Sequence, residues 1–68
     1  MGNRIPREFD LITAETLVDS SAYKKGTIVQ IFKDDHGYLS KAVGETTFYR
    51  EFVSRIRNEN LYKILSVV

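Results

Sequence analysis

The only imidazole in the chain, His36, follows two carboxylates in the run Asp34-Asp35-His36. Acids and a histidine are donor types that hold divalent metals, and they also serve as acid–base groups. Three consecutive residues rarely all point at one ion, however, and no further ligand stands at a recognisable spacing. With Gly37 after them, the same residues are what a tight turn selects. Aspartate tolerates left-handed backbone, and glycine takes positive φ at no steric cost. The run is expected to be a solvated hairpin turn, holding no metal and no cofactor. Nucleophilic catalysis fails by inventory. Cysteine is absent, Ser20, Ser21, Ser40, Ser54 and Ser66 have one histidine to share, and nothing marks a nucleophile elbow. Gly2, Gly26, Gly37 and Gly44 are too scattered for a phosphate-cradling loop. The acids offer no distinguished pair, and 68 residues leave little room for a deep cleft. The chain is not expected to be an enzyme.

Binding chemistry is better represented. Arg50, Arg55, Arg57 and Lys63 alternate with Tyr49 and Tyr62, and Lys41 can join them across a hairpin. Cations for phosphate and flat rings for bases are what a single-stranded nucleic acid needs. Glu51 and Glu59 dilute this group. The simpler reading is half-buried tyrosines beside arginines that solvate a helical turn. The apolar ending Leu65-Ser66-Val67-Val68 is expected to tuck into the fold or to dock on something.

The elements that must position these residues fit one small domain. Hydrophobic residues make up 43% of the chain and charged residues 28%, an ordinary globular composition. So short a chain buries only ~60% of the surface its unfolded form exposes, and without cysteine no disulfide can compensate. The net charge is +1, with residues 1–23 at −2 and residues 24–68 at +3. A dedicated nucleic-acid domain usually shows a larger basic excess. No apolar run approaches the ~20 residues of a membrane helix. The N-terminus lacks a signal-peptide core, and Pro6 occupies the position where a myristoylation motif wants Ser or Thr. A cytoplasmic, non-membrane protein is expected.

Residues 1–8, broken by Pro6, read as a flexible arm, and residues 9–68 as a single domain. Phe9–Ile12 is a short first strand, and residues 13–25 a long loop pinned by Leu17 and Val18. Gly26–Phe32 is the clearest strand, rich in β-branched and aromatic residues. Tyr38–Val43 follows the Asp-rich turn. Gly44-Glu45 turns the chain into a strand from Thr46 to about Arg50. Phe48, Phe52 and Ile56 recur at helical spacing, so a short helical turn is placed near residues 51–57. Leu61–Val67 is the last strand. Ile28 or Val29, with Ile31, Leu39, Val43, Phe48, Phe52, Ile56 and Ile64, is the expected core. Phe52→Ala in such a core would cost ~3–5 kcal/mol. An α+β fold with a true helix at 47–58 is the alternative.

This order of elements resembles the SH3-like small β-barrel. The resemblance is carried by Lys24-Lys25-Gly26-Thr27 leading into the second strand, Gly44-Glu45 at the distal hairpin, and Phe52–Ile56 before Leu61–Leu65. It covers roughly residues 9–67 and implies a mainly β, five-stranded barrel. The paired tyrosines and the tryptophans of proline-peptide-binding SH3 domains are missing, so no peptide-binding residues carry over. The superfamily's RNA-binding, subunit-binding and phage members leave function open. The expected function is a non-enzymatic module, an accessory or regulatory factor of phage or other origin. It would bind a larger protein through an edge strand or an aromatic patch, and an edge could also pair with a second copy. The alternative is an RNA- or single-stranded-DNA-binding barrel using residues 49–63.

Overall fold

The computed structural model describes residues 11–68; the arm expected at 1–8 and the strand start expected at Phe9 lie outside the described residues. Five strands and one helical turn follow in order. They are β1 (Leu11–Thr16), β2 (Ile28–Asp34), β3 (Gly37–Ala42), β4 (Tyr49–Glu51), α1 (Val53–Ile56) and β5 (Tyr62–Val67). The strands form one antiparallel sheet in the order β4-β3-β2-β1-β5. The fold is mainly β. The short helical turn appears at residues 53–56, and the alternative long helix at 47–58 does not form.

β2, β3 and β5 differ from the sequence reading by one or two residues at their ends, and β1 and β4 differ more. β1 runs on to Thr16, through residues expected to be loop. Ile12, Ala14 and Thr16 alternate into the interior, and the pairing with β5 shifts register between Thr13 and Ala14, a bulge of the kind that increases local twist. Thr16 also closes the long loop behind it. Its hydroxyl donates to the Lys24 carbonyl at 2.8 Å and accepts the Thr27 N–H at 3.0 Å. β4 begins only at Tyr49, so Thr46–Phe48 belong to the connection after Gly44. In the β2–β3 turn Asp34 accepts the backbone N–H of His36 at 2.9 Å, and Gly37 takes a φ of 128°. This is the turn chemistry expected of Asp34-Asp35-His36-Gly37.

The core is Ile12, Ala14, Tyr23, Val29, Ile31, Tyr38, Ile56 and Tyr62. Val29, Ile31 and Ile56 are where the sequence placed them. Val43, Phe48 and Phe52 are not: all three are exposed, Phe52 to 62%. Leu39 and Ile64 are only partly covered. On β3 the buried face is Tyr38 and Ser40, and Leu39 stands on the outer face with Lys41. Phe52 is the residue before α1, with extended backbone, so it lies outside the turn whose buried residue is Ile56.

The sheet is open, because β4 and β5 are its two edges and do not pair with each other. Four strand spacings would set these edges ~19 Å apart in a flat sheet. Yet the Tyr62 hydroxyl of β5 donates to Glu51 Oε2 of β4 at 2.7 Å. The sheet is therefore strongly curled, with its concave side holding the core.

Candidate functional site

The concave side carries a polar node that the sequence reading missed. Glu51 is the last residue of β4, and its carboxyl group points inward. Oε2 accepts from Tyr62 Oη at 2.7 Å and from Ser40 Oγ at 3.4 Å, and Oε1 accepts the Phe52 N–H at 3.4 Å. Ser40 Oγ lies 2.7 Å from Tyr23 Oη. The node thus joins the long loop, β3, β4 and β5. Every buried polar side-chain atom among the described residues has a partner. Ser40 is wholly covered and Glu51 nearly so. The node satisfies and orders the interior. The alternation that sets Tyr38, Ser40 and Ala42 on one face of β3 was available in the sequence. The more apolar pair Leu39 and Val43 pulled the expected core to the wrong face.

Burial pushes the Tyr62 hydroxyl well above its ordinary pKa of 10.0, and the hydrogen bond to Glu51 and that residue's charge push it the same way. Tyr23 is also raised, chiefly by burial. A phenol whose folded pKa is raised contributes stability that is fully present below the unfolded value. That contribution is lost as pH climbs through the unfolded value toward the folded one. Thermal stability should therefore fall above pH ~10. Tyr62→Phe should flatten this alkaline decline while lowering stability at neutral pH. A melting temperature that stays level to pH ~11 in the parent chain would contradict the geometry.

Of the residues singled out for binding, Arg57, Tyr62 and Lys63 line one groove, and Arg50, Arg55, Lys41 and Tyr49 have partners elsewhere. Arg50 donates to Asp34 Oδ1 at 3.1 Å, to Asp34 Oδ2 at 3.3 Å and to the Tyr38 carbonyl at 3.2 Å. That hydrogen bond, before any other cause, holds the Asp34 carboxyl below the usual range. Arg55 lies 3.9 Å from Glu51. Lys41 donates to the Glu45 carbonyl at 3.2 Å. Tyr49 packs edge-on against Tyr23 with ring centres 5.4 Å apart, and Tyr62 is buried. Arg57 and Lys63 remain. Both are exposed, and neither makes a side-chain hydrogen bond or ion pair among the described residues. No group of three or more His, Cys, Asp or Glu placed to hold a metal occurs among the described residues.

Arg57 and Lys63 line a shallow groove of about 140 Å³ together with Leu17, Ile56, Glu59, Tyr62 and Ile64. That is below the ~300–1,000 Å³ of a small-molecule site. Tyr62, Lys63 and Ile64 are consecutive on β5 and alternate in direction, so the groove takes in both sides of the strand. Beyond it, Leu65, Val67 and Val68 are exposed, Val68 to 76%. The outer face of the sheet adds an apolar row. Val68 stands against Leu11, Leu11 against Phe32, and Phe32 against Leu39, with the exposed Phe48 ring 6.2 Å from Phe32. No helix among the described residues is long and apolar enough to cross a membrane. No protein-family model, curated protein or solved structure matches this chain.

Proposed function

We propose that this chain is a non-enzymatic binding module, an accessory or regulatory domain that docks a larger protein along the β5 edge. The observation that carries this reading is the state of that edge. β5 is six residues long, and β1 is its only strand partner among the described residues. The Tyr62 N–H is taken by the Asn58 carbonyl at 3.1 Å and the ladder to β1 shifts register at Leu65, so the stretch from Lys63 onward is what offers backbone donors and acceptors to a further strand. β4, at the other edge, is only three residues long. In this reading the curled sheet is an SH3-like barrel, a rigid frame that presents β5, and the domain works in the cytoplasm.

The nucleic-acid reading has less support. A single-stranded ligand needs rings free to stack beside its cations. Tyr62 is buried with its hydroxyl engaged, Tyr49 leans on Tyr23, and Arg50 is committed to Asp34. An affinity pull-down from native lysate, run with and without nuclease, separates the two. Protein bands that survive nuclease are expected. Material lost on nuclease treatment, with salt-sensitive submicromolar binding of poly-U or poly-dT, would overturn the reading in favour of nucleic acid.

A further inference from the structure

The β5 edge has a chemistry of its own, and it selects among partners. Resting on the binding-module reading, we propose that β5 receives an extended strand of a partner protein whose side chains alternate between apolar and acidic. The alternation follows from the strand itself. Tyr62 and Ile64 point toward the concave side, where the groove floor is completed by Ile56 and Leu17. Lys63, between them, points to the outer face. A strand laid beside Tyr62–Ile64 keeps the same period; past Ile64 the β5 ladder shifts register, Thr13 pairing with Ser66 and Ala14 with Ile64. Its residues on the concave side meet an apolar floor, and those on the outer side meet Lys63. Cross-strand neighbours of opposite charge stabilise such a pairing, and like charges oppose it. Among the described residues Arg57 and Lys63 make neither an ion pair nor a side-chain hydrogen bond, whereas Lys41, also without an anion, donates to the Glu45 carbonyl; Glu59 is the groove's one acid.

The same chemistry disfavours a second copy as the occupant. Tyr62–Val67 contains Lys63 and no acid. Self-pairing would bring a lysine to a groove that already holds two cations and would supply no carboxylate in return. An acidic strand from another protein complements it, and electrostatic matching of this kind sets partner choice more than bulk affinity.

The backbone geometry supplies a clean test. Leu11 and Val68 exchange both backbone hydrogen bonds, at 3.4 and 2.8 Å. The adjoining pair Ile12 and Val67 is then a non-hydrogen-bonded pair of the β1–β5 ladder. The Val67 N–H therefore points away from β1. Val67→Pro deletes a donor from the free edge and leaves the β1 ladder intact.

The probes are two synthetic octapeptides, alternating Glu-Val and alternating Lys-Val, titrated into the ¹⁵N-labelled chain and followed by amide shifts. The Glu-Val peptide should give saturable shifts at Arg57, Lys63, Ile64 and Val67. The Lys-Val peptide should bind about tenfold more weakly or not at all. Val67→Pro should weaken Glu-Val binding by about tenfold or more. A double variant, Arg57→Glu with Lys63→Glu, touches only exposed side chains and should invert the preference. Equal binding of both peptides, shifts confined to another surface, or no saturation at millimolar peptide would each overturn the proposal. So would concentration-dependent self-association of the parent chain that Val67→Pro abolishes, which would assign the edge to a second copy. If Val67→Pro still captures the same nuclease-resistant protein from lysate, this inference and the β5 edge as docking site fail, while a non-enzymatic binding module using another surface stands.

Discussion

Ile31→Ala should cost ~2–5 kcal/mol, the range measured for deleting a large aliphatic side chain from a packed interior. Ile31 is wholly buried at the centre of β2, between β1 and β3, with Ile12 opposite it on one side and Ser40 on the other. Its neighbours are held by ladders on both flanks, so they cannot close over the space left behind. A domain of 68 residues has roughly 3–10 kcal/mol of total stability. The substitution should therefore unfold a large share of the population at room temperature. Phe52→Ala is the informative contrast. The sequence reading gave it the larger cost, but a ring exposed to 62% has little to lose, and the expected change is about 1 kcal/mol or less. Urea denaturation of the two variants checks the ranking. If Phe52→Ala proves the more damaging, the interior is not the one described.

The contrast between these residues shows which signals the sequence carried. β2 was legible because Ile28, Val29, Ile31 and Phe32 combine β-branched and aromatic side chains over a strand's length. The Asp34–Gly37 turn was legible because each residue has its own local reason to be there. Gly44 was placed in a turn and takes a φ of 87°. Phe48, Phe52 and Ile56 misled because a spacing of four looks helical, whereas only Val53–Ile56 turns. Phe48 instead leaves the turn after β3 and reaches Phe32 on the outer face. The composition gives no hint of an inward-facing carboxylate, because Glu51 looks like any surface acid until the curl of the sheet brings Tyr62 to it. The candidate binding residues were chosen by charge and ring type. Their partners show only in the fold: Asp34 for Arg50, Glu51 for Tyr62, and none for Arg57 or Lys63 among the described residues. Pairing across strands is non-local, and a linear pattern does not encode it.

Glu51→Ala should destabilise the fold by ~2–4 kcal/mol, although a glutamate among so many charged residues would ordinarily be replaceable at little cost. The substitution removes the acceptor for the Tyr62 hydroxyl at 2.7 Å, together with the longer contacts from Ser40 and the Phe52 N–H. Tyr62 is buried, so its hydroxyl is left with no replacement partner from water, and an unsatisfied buried donor costs ~1–3 kcal/mol by itself. The rest of the cost comes from the gap left by the side chain and from loosening the tie between β4 and β5. Glu51→Gln keeps an acceptor oxygen at nearly the same volume and should cost clearly less than the alanine change. Tyr62→Phe removes the donor and, in the Glu51→Ala background, should do little further harm, because its partner is already gone. The double-mutant cycle should return a coupling of ~1–3 kcal/mol between the two residues. Chemical denaturation of the four proteins at neutral pH measures it. Additive losses would mean that the two side chains stabilise the fold independently, and the link between the edges of the sheet would have to come from packing alone.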